Sequence, residues 1–567
     1  MLSDPSPVSF RRLTVTGIFL SLFTAGLAWL LLFPVQPTWY DDAYMFLRYA
    51  NNMIHGQGIT WNPGEPAVYG VGSLLYLIQI AGLVRLTGFS DGVFLASVSL
   101  ANGVAALFIL AAAIVQIVRS GWLRNACFIF GGVGVLLTFN FSFRDHLSTG
   151  MDTTLAMALG ALLVLCFARL RQAPSASRAA ILGIVSWLCF FCRIDMILYA
   201  VFFPVLGIWL LLEKEQKKMV LVWASVFGLL MVLDSLAKWK LFGGLFPLPL
   251  YTKQQGFYPN GYGALALSPV SFLVDYLGAC LPFAFLAIFA FRRPGWRLWV
   301  VFFLPLLLTT AIFFGGVQIM GYRGRFYFPG LPFFVAGSFV LLDDFIQSRT
   351  VPVHRLLLRA VIAAGVLAVV STGFVRLEAF YQARMRRAEN EHYDVKLRNY
   401  LLQNSLKMWS WWDHIHAVDA ILDGVPAGTR FAATENGYLA AMHPEMEIQD
   451  MTGLHDPEIA RNGFSSKYIL SKKPDLIWFP HIQHTDAVRL FWDENDFWTD
   501  YEYYPRSFGF GIALRRTGPH YAEVKKAVAA AWQKSYPGID MSAERVSSKA
   551  EILAQLSSQT APGKEPV

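Results

Sequence analysis

Charge is scarce in this chain. Only 15% of its 567 residues are Asp, Glu, Lys or Arg, while 55% are hydrophobic. That balance excludes an ordinary soluble protein and, with a mean hydropathy of +0.44, describes a polytopic membrane protein. Cysteine is also sparse. Cys127, Cys166, Cys189, Cys192 and Cys280 all fall in apolar segments, so the polar C-terminal part carries no disulfide framework. Cys189-x-x-Cys192 has redox or zinc spacing, but within an apolar helix such residues serve as small packing groups. The sequence has no Walker-type phosphate loop, no dinucleotide fingerprint, no zinc-ligand cluster and no clear internal repeat. The net charge of +8 does not point to nucleic acid, because the basic residues sit in short loops between apolar runs, where they set membrane orientation.

Apolar runs near the length of a bilayer crossing predict about eleven spans. They lie near 13–35, 92–118, 122–140, 152–169, 179–193, 196–212, 218–237, 268–291, 297–315, 325–344 and 355–377. The first follows Arg11-Arg12, is too long for a signal peptide and lacks a small-x-small cleavage site, so it reads as an uncleaved span with a cytoplasmic N-terminus. A further apolar run at 70–86 decides the parity. As a twelfth span it would put Arg169, Arg171 and Arg178 outside; as a helix lying on the outer face it leaves the basic loops inside.

The expected organisation is therefore a transmembrane domain over 1–377, whose first outer loop, about 36–91, contains the interfacial helix at about 70–86. An outer α/β domain follows over 378–518, with strands near 430–434, 475–479 and 509–515. The tail, 519–567, reads as loosely helical or disordered. Trp409, Trp411, Trp412 and Trp478 are either stacking platforms for sugar rings or core and membrane-interface residues.

Against this apolar background the pair Asp41-Asp42 stands out, directly after the first span. One reading is a helix start, where Asp is favoured. The other is chemistry: a carboxylate beside a bilayer can deprotonate a hydroxyl or bind a cation. A helix over 41–54 places Asp41, Arg48 and Asn52 on one stripe, and Asp42 beside the apolar Phe46, Tyr49 and Met53. An apolar surround raises a carboxyl pKa, so Asp42 is expected to be the perturbed one, with Asp41 as base and Asp42 as the orienting or cation-holding residue.

Other charges recur at the same ends of the spans: Arg144, Asp145, Asp152, Arg193, Asp195, Lys240, Lys253, Arg323 and Arg325. Ionisable residues at membrane depth mark functional sites, although Lys and Arg also snorkel. Asp152 either caps the helix behind it or lines a pocket with the Asp pair. Arg193 and Asp195 form an ion pair across a turn or part of the same pocket. Lys253, Arg323 and Arg325 suit a phosphate or diphosphate, Arg as a planar fork and Lys as a point charge.

The run DDAYMFLRYANN-x-x-x-GQG-x-x-x-NPGE-x-x-x-x-G-x-x-S, from Asp41 onward, resembles the first periplasmic loop of bacterial GT-C glycosyltransferases. The likeness is greatest to the mycobacterial terminal β-(1→2) arabinofuranosyltransferases and their relatives. GMDTT at 150–154, RID at 193–195, PLPLYTK at 247–253, GRF at 324–326, ENGYLA at 435–440 and QDMTGLHDPEIA at 449–460 continue it in order.

The resemblance implies a polytopic α-helical membrane protein of the GT-C type in a bacterial inner membrane, with a C-terminal periplasmic α/β domain. It implies inverting transfer of arabinofuranose, or of another pentose or hexose, from a polyprenyl-phosphate donor to an envelope glycan or glycoprotein acceptor. Asp41 and Asp42 would be catalytic. Lys253, Arg323, Arg325 and Arg193 would bind the donor phosphate, and Arg48, Asn52, Asp152, Asp195 and Tyr251 would line the substrate pocket. No metal ligand set is assigned; a divalent cation at the Asp pair is used by some relatives and not by others. The family often has Asn-Thr where this chain has Leu248-Pro249, and Pro in place of Ile194, which leaves the donor sugar open. A flippase or transporter for lipid-linked sugars and an O-antigen ligase or polymerase are the alternative readings.

Overall fold

The computed structural model describes residues 35–118, 140–253, 268–289, 296–314, 322–347, 411–480 and 485–558. The expected spans near 13–35, 122–140 and 355–377 lie outside these residues but for an end residue, as do Cys127, Trp409 and the basic stretch before the C-terminal domain.

The first part of the chain is helical: α1 (Asp41–Ile54), α2 (Leu74–Thr87), α3 (Gly92–Ile117), α4 (Phe141–Ser148), α5 (Thr153–Gln172), α6 (Ala176–Cys192), α7 (Ile197–Leu211), α8 (Met219–Phe242), α9 (Leu248–Thr252), α10 (Ser268–Phe289), α11 (Trp296–Phe314) and α12 (Leu331–Gln347). Five helices among the described residues are long and apolar enough to cross a membrane: Gly92–Ile117, Thr153–Gln172, Ile194–Leu211, Lys214–Phe242 and Trp296–Phe313. α6 has 17 residues against the 15 expected over 179–193, whereas the run at 325–344 becomes helical only at Leu331. Ahead of it, Arg323 and Gly324 take left-handed backbone conformations and Pro329 offers no N–H, so 322–330 forms short 3₁₀ turns instead.

Burial separates the roles of these helices. α5 sits at the centre of an apolar core with Phe203, Phe302, Phe333 and Phe339 around it. α8 lies at the rim, with Leu221, Leu229, Leu236 and Trp239 exposed. An apolar helix left uncovered in water would be unfavourable; facing lipid it is not.

The C-terminal part holds α13 (Trp411–Leu422), β1 (Arg430–Ala433), α14 (Gly437–Met442), β2 (Glu447–Asp450), β3 (Leu476–Trp478), β4 (Tyr501–Tyr504), β5 (Ile512–Arg515), α15 (Tyr521–Ser535) and α16 (Lys549–Ser558), with further short helices between. The sheet order is β2-β1-β3-β5-β4. β1 pairs with β2 and β3 in parallel, and β5 pairs with β3 and β4 antiparallel.

The expected strands near 430–434, 475–479 and 509–515 correspond to β1, β3 and β5; β2 and β4 escaped the sequence reading. Glu447-Ile448-Gln449-Asp450 lacks an apolar run, and Tyr501-Glu502-Tyr503-Tyr504 gives no clean alternation. The tail also differs from expectation. α15 is well formed and buries Val524, Val528 and Trp532, and Ile552 of α16 is buried too. Its small alanine-rich face packs closely, where composition alone suggested looseness.

The two parts share an apolar core. Tyr44, Leu47, Tyr49 and Trp61 of the first loop are in one buried cluster with Ile415, Phe431, Leu439 and Ile448 of the sheet domain. Trp478 is core as well, so it offers no stacking face.

Candidate active site

α1 begins at Asp41 with two acidic residues in its first turn and no side-chain cap; the positive end of the helix dipole favours both. The two carboxylates then diverge. Asp41 is 9% exposed. Its Oδ2 accepts the backbone N–H of Gly437 at 2.8 Å and its Oδ1 that of Tyr438 at 2.7 Å, satisfying the first amides of α14 from another part of the chain. Burial pushes the Asp41 carboxyl up to about 6, against the downward pull of the two N–H groups.

The rest of its stripe has the same structural task. Arg48 is fully buried. Its Nε donates to Trp61 O, Nη1 to the carbonyls of Ala440 and His443, and Nη2 to Met446 O and Asn62 Oδ1, at 2.9–3.3 Å. Asn52 donates to Thr60 O and Trp61 O. Arg48 and Asn52, expected in a substrate pocket, have their donors committed elsewhere: Arg48 docks the C-terminal domain through the carbonyls of Ala440, His443 and Met446, and Asn52 ties α1 to the first loop. The expectation of a buried carboxyl at Asp42 is likewise reversed. The apolar stripe was read correctly, but the C-terminal domain covers the polar one more completely.

Asp42 turns toward a group of cations. Its Oδ2 lies 3.6 Å from Arg325 Nη1. The ring of Phe326 has Arg325 Cζ at 5.2 Å, Arg193 Cζ at 5.4 Å and Lys253 Nζ at 5.4 Å, within cation–π range. Three cations from three separate loops thus surround one aromatic ring. Lys253 is delivered by the turn after α9, which Leu248 N–H ties to Tyr69 O and Thr252 Oγ1 ties to Gly453 O, each at 2.8 Å. Burial, with Arg325 and Arg193 adding to it and Asp42 opposing, brings Lys253 down to about 7.

Arg193 is matched by carboxylates on both sides, Asp152 at 3.1 Å and Asp195 through Nε and Nη2 at 3.0 and 2.8 Å. Asp152 makes no side-chain cap bond to its own helix, so pairing with Arg193 is its role here. Arg325 differs: its Nε and Nη1 are buried and donate to no hydrogen-bond partner among the described residues. A guanidinium in that state is poised for an oxyanion.

Arg323, expected beside Arg325, is diverted. It adopts φ 53° ahead of Gly324 at φ 70°, and its Nε lies 3.4 Å from Asp145. Gly324 is required twice over, by its left-handed backbone and because a Cβ would come within 2.4 Å of Phe272 O. His146 Nε2 donates to Arg323 O at 3.0 Å, and Tyr40 donates to Asp145. Burial and the cations Arg325, Arg193 and Arg323 bring His146 down to about 3, so it is neutral. Tyr251, expected in the pocket, packs with Val68, Leu248 and Ala460.

Sequence reasoning missed Phe326 and Glu435. Phe326 sat inside the GRF match as an apparent span residue. Burial, with Asp41, Asp42 and Asp450 nearby, holds Glu435 well above the usual carboxylate range; its signal was the ENGYLA match, where it lies two residues before the first of the amides that Asp41 binds. The residues present do not fit a divalent cation. Among the described residues no three His, Cys, Asp or Glu side chains converge, Asp41 is occupied by amides, and Asp42 already faces Arg325.

No family model and no curated protein matches the chain. Similar solved structures include the oligosaccharyltransferase AglB of Archaeoglobus fulgidus, in complex with an inhibitory peptide and a dolichol-phosphate. It is 11% identical over 92% of this chain and 77% of that one, with a TM-score of 0.47. The apo state of ArnT from Cupriavidus metallidurans is 12% identical over 89% of this chain and 97% of that one, with a TM-score of 0.45.

Proposed function

We propose that this protein is an inverting GT-C glycosyltransferase that moves a pentose or hexose, arabinofuranose being one candidate, from a polyprenyl-phosphate donor to an envelope glycan or glycoprotein acceptor. The reaction takes place at the periplasmic face of a bacterial inner membrane. The observation that carries it is Arg325, a buried guanidinium with unused donors, flanked by Lys253 and Arg193 around Phe326 and touching the Asp42 carboxylate. An anion site beside a carboxylate is what transfer from a lipid phosphate requires.

In this reading Asp42 is the base, in place of Asp41, whose two oxygens are held by Gly437 and Tyr438. The acceptor oxygen bonds to the anomeric carbon as its proton passes to Asp42. The bond from that carbon to the phosphate oxygen breaks, and its electron pair leaves with the phosphate. Arg325 and Lys253 receive the charge that develops on the phosphate, in a buried setting where such stabilisation is strong. Arg193, matched by Asp152 and Asp195, positions the wall on which Phe326 packs. Arabinofuranose is supported only by the loop resemblance, and Leu248-Pro249 and Ile194 depart from that family's pattern.

The test is transfer by purified full-length protein in detergent, offered radiolabelled polyprenyl-phosphate pentoses and hexoses with an envelope acceptor fraction. Transfer from one donor, lost in Asp42→Asn, is the expected result. Donor binding without turnover by wild-type protein, unchanged in Asp42→Asn, would move the assignment to a lipid-sugar flippase.

A further inference from the structure

A second polar site lies at the seam between the first loop and the C-terminal domain, and its lining shares no residue with the Phe326 cluster. A cavity of about 300 Å³ opens there, at the small end of ligand pockets. Its walls come from 61–65 on one side and from β1, β2 and the segments after them on the other. Asn62 seals one end: its side-chain amide accepts Ile448 N–H and donates to Ile448 O, continuing the sheet past the β2 edge.

The charges lining the cavity are largely paired. Arg430 meets Glu447 at 3.1 Å and Lys472 meets Asp456 at 2.6 Å, while Asp450 is saturated by Thr452, His455 and Asn436. Three uncharged groups have unmet hydrogen-bonding capacity. Trp61, Gln449 and His455 are 1%, 4% and 3% exposed, and Trp61 Nε1, Gln449 Oε1 and His455 Nε2 have no partner among the described residues. Such orphaned groups are few in folded proteins and call for a ligand or bound water.

They are also fixed in place. The Trp61 and His455 rings stack at 3.7 Å and 10°, and Tyr49 Oη bonds His455 Nδ1 at 3.0 Å. Burial holds His455 down to about 3, so the imidazole is neutral. A preset arrangement of neutral donors and acceptors, with the cations of the lining paired, matches hydroxyl groups better than it matches a phosphate, which would need an unpaired counter-charge.

We propose that this cavity binds one neutral sugar residue of the acceptor glycan, through hydrogen bonds to Trp61, Gln449 and His455. The word acceptor rests on the glycosyltransferase reading above; the sugar site itself does not. The site would hold the polymer at a distance from the transfer centre, so that its reactive end reaches Asp42.

The experiment titrates full-length protein in detergent with short neutral oligosaccharides of pentofuranose, hexofuranose or hexopyranose units, up to about 10 mM, read by saturation-transfer NMR. One class should bind, equally to wild type and to Asp42→Asn. Gln449→Leu should weaken it tenfold or more with an unchanged thermal midpoint, and Trp61→Phe, which deletes the indole N–H together with buried ring volume, should weaken it likewise at a lower midpoint and decides the matter if Gln449→Leu fails to fold. Absence of binding by any class, or equal binding by wild type and both variants, overturns the proposal. Wild-type transfer without oligosaccharide binding would reject this site and leave the enzyme reading standing. Oligosaccharide binding without transfer from any donor would do the reverse.

Discussion

Asp41 Oδ2 accepts the backbone N–H of Gly437 at 2.8 Å, joining positions 396 residues apart in sequence. The approach is so close that a Cβ on Gly437 would lie 2.2 Å from Asp41 O. Only glycine admits α14 this near to the start of α1, and that contact fixes where Asp42, the next residue, points.

Gly437→Ala should therefore displace α14 from α1. Of the three atoms such a Cβ would meet within 3 Å, Asp41 O and C are backbone, which cannot rotate away. We expect a transfer rate at least tenfold lower together with a lower thermal midpoint, measured by radiolabel transfer and by thermal unfolding in detergent. Wild-type values for both would show that the contact is dispensable.

The two aspartates should separate in mutagenesis. Asp42→Asn removes a base without touching the dock, so kcat should fall by about 10²–10⁴ with an unchanged thermal midpoint. Asp41→Ala strips the acceptors from two amides and should cost about 2–4 kcal/mol of stability, seen as a lowered midpoint and easier proteolysis between the two parts. Asp41 also carries a pH signature. Its folded pKa, about 6, lies above its ordinary 3.8, so its contribution to stability is full below 3.8 and is lost as pH rises through 6. A wild-type midpoint that does not fall more steeply over this window than that of Asp41→Asn would contradict the assignment.

Lys253 predicts the pH dependence of donor binding. Its folded pKa of about 7 lies below the usual 10.5. The folded protein loses this proton near pH 7 while the unfolded chain keeps it, so this group's contribution to stability grows as pH rises through that window. Bound phosphate favours the charged form. Affinity for a polyprenyl phosphate should consequently fall above about pH 7, by at most about tenfold per pH unit. Lys253→Arg should flatten that slope; a flat wild-type profile between about pH 6 and pH 9 would refute the role.

Arg48→Met keeps an unbranched apolar stem but removes five hydrogen bonds, of whose acceptors Trp61 O, Asn62 Oδ1 and His443 O keep another donor. A loss of about 3 kcal/mol or more is expected, read as a lower unfolding midpoint, with the KM for donor little changed in whatever fraction stays folded. A large KM effect at normal stability would return Arg48 to the substrate pocket.

Much of the organisation was legible in the residues. Five apolar runs among the described segments are helices long enough to cross a membrane, the Asp41 helix ends where its Gly-rich turn begins, and β1, β3 and β5 lie within runs read as strands. Lys253, Arg325 and Arg193 were picked out as phosphate ligands and lie around one ring. The errors share a cause. Arg48 and Asn52 were placed by helical periodicity on a polar stripe, and periodicity tells which residues share a face but not what covers it. Arg323 and Arg325 differ by two positions, yet the left-handed turn at Arg323-Gly324 sends one to Asp145 and the other to Asp42.

Composition and hydrophobic period determined, without any structure, that this chain has apolar helices of membrane length and a separate polar domain, because burial in lipid or core is written residue by residue. The tertiary fold alone decided which aspartate is tied down and which faces cations. That choice depends on Gly437 and Tyr438 arriving from the far end of the chain, and no local pattern around Asp41 records their arrival.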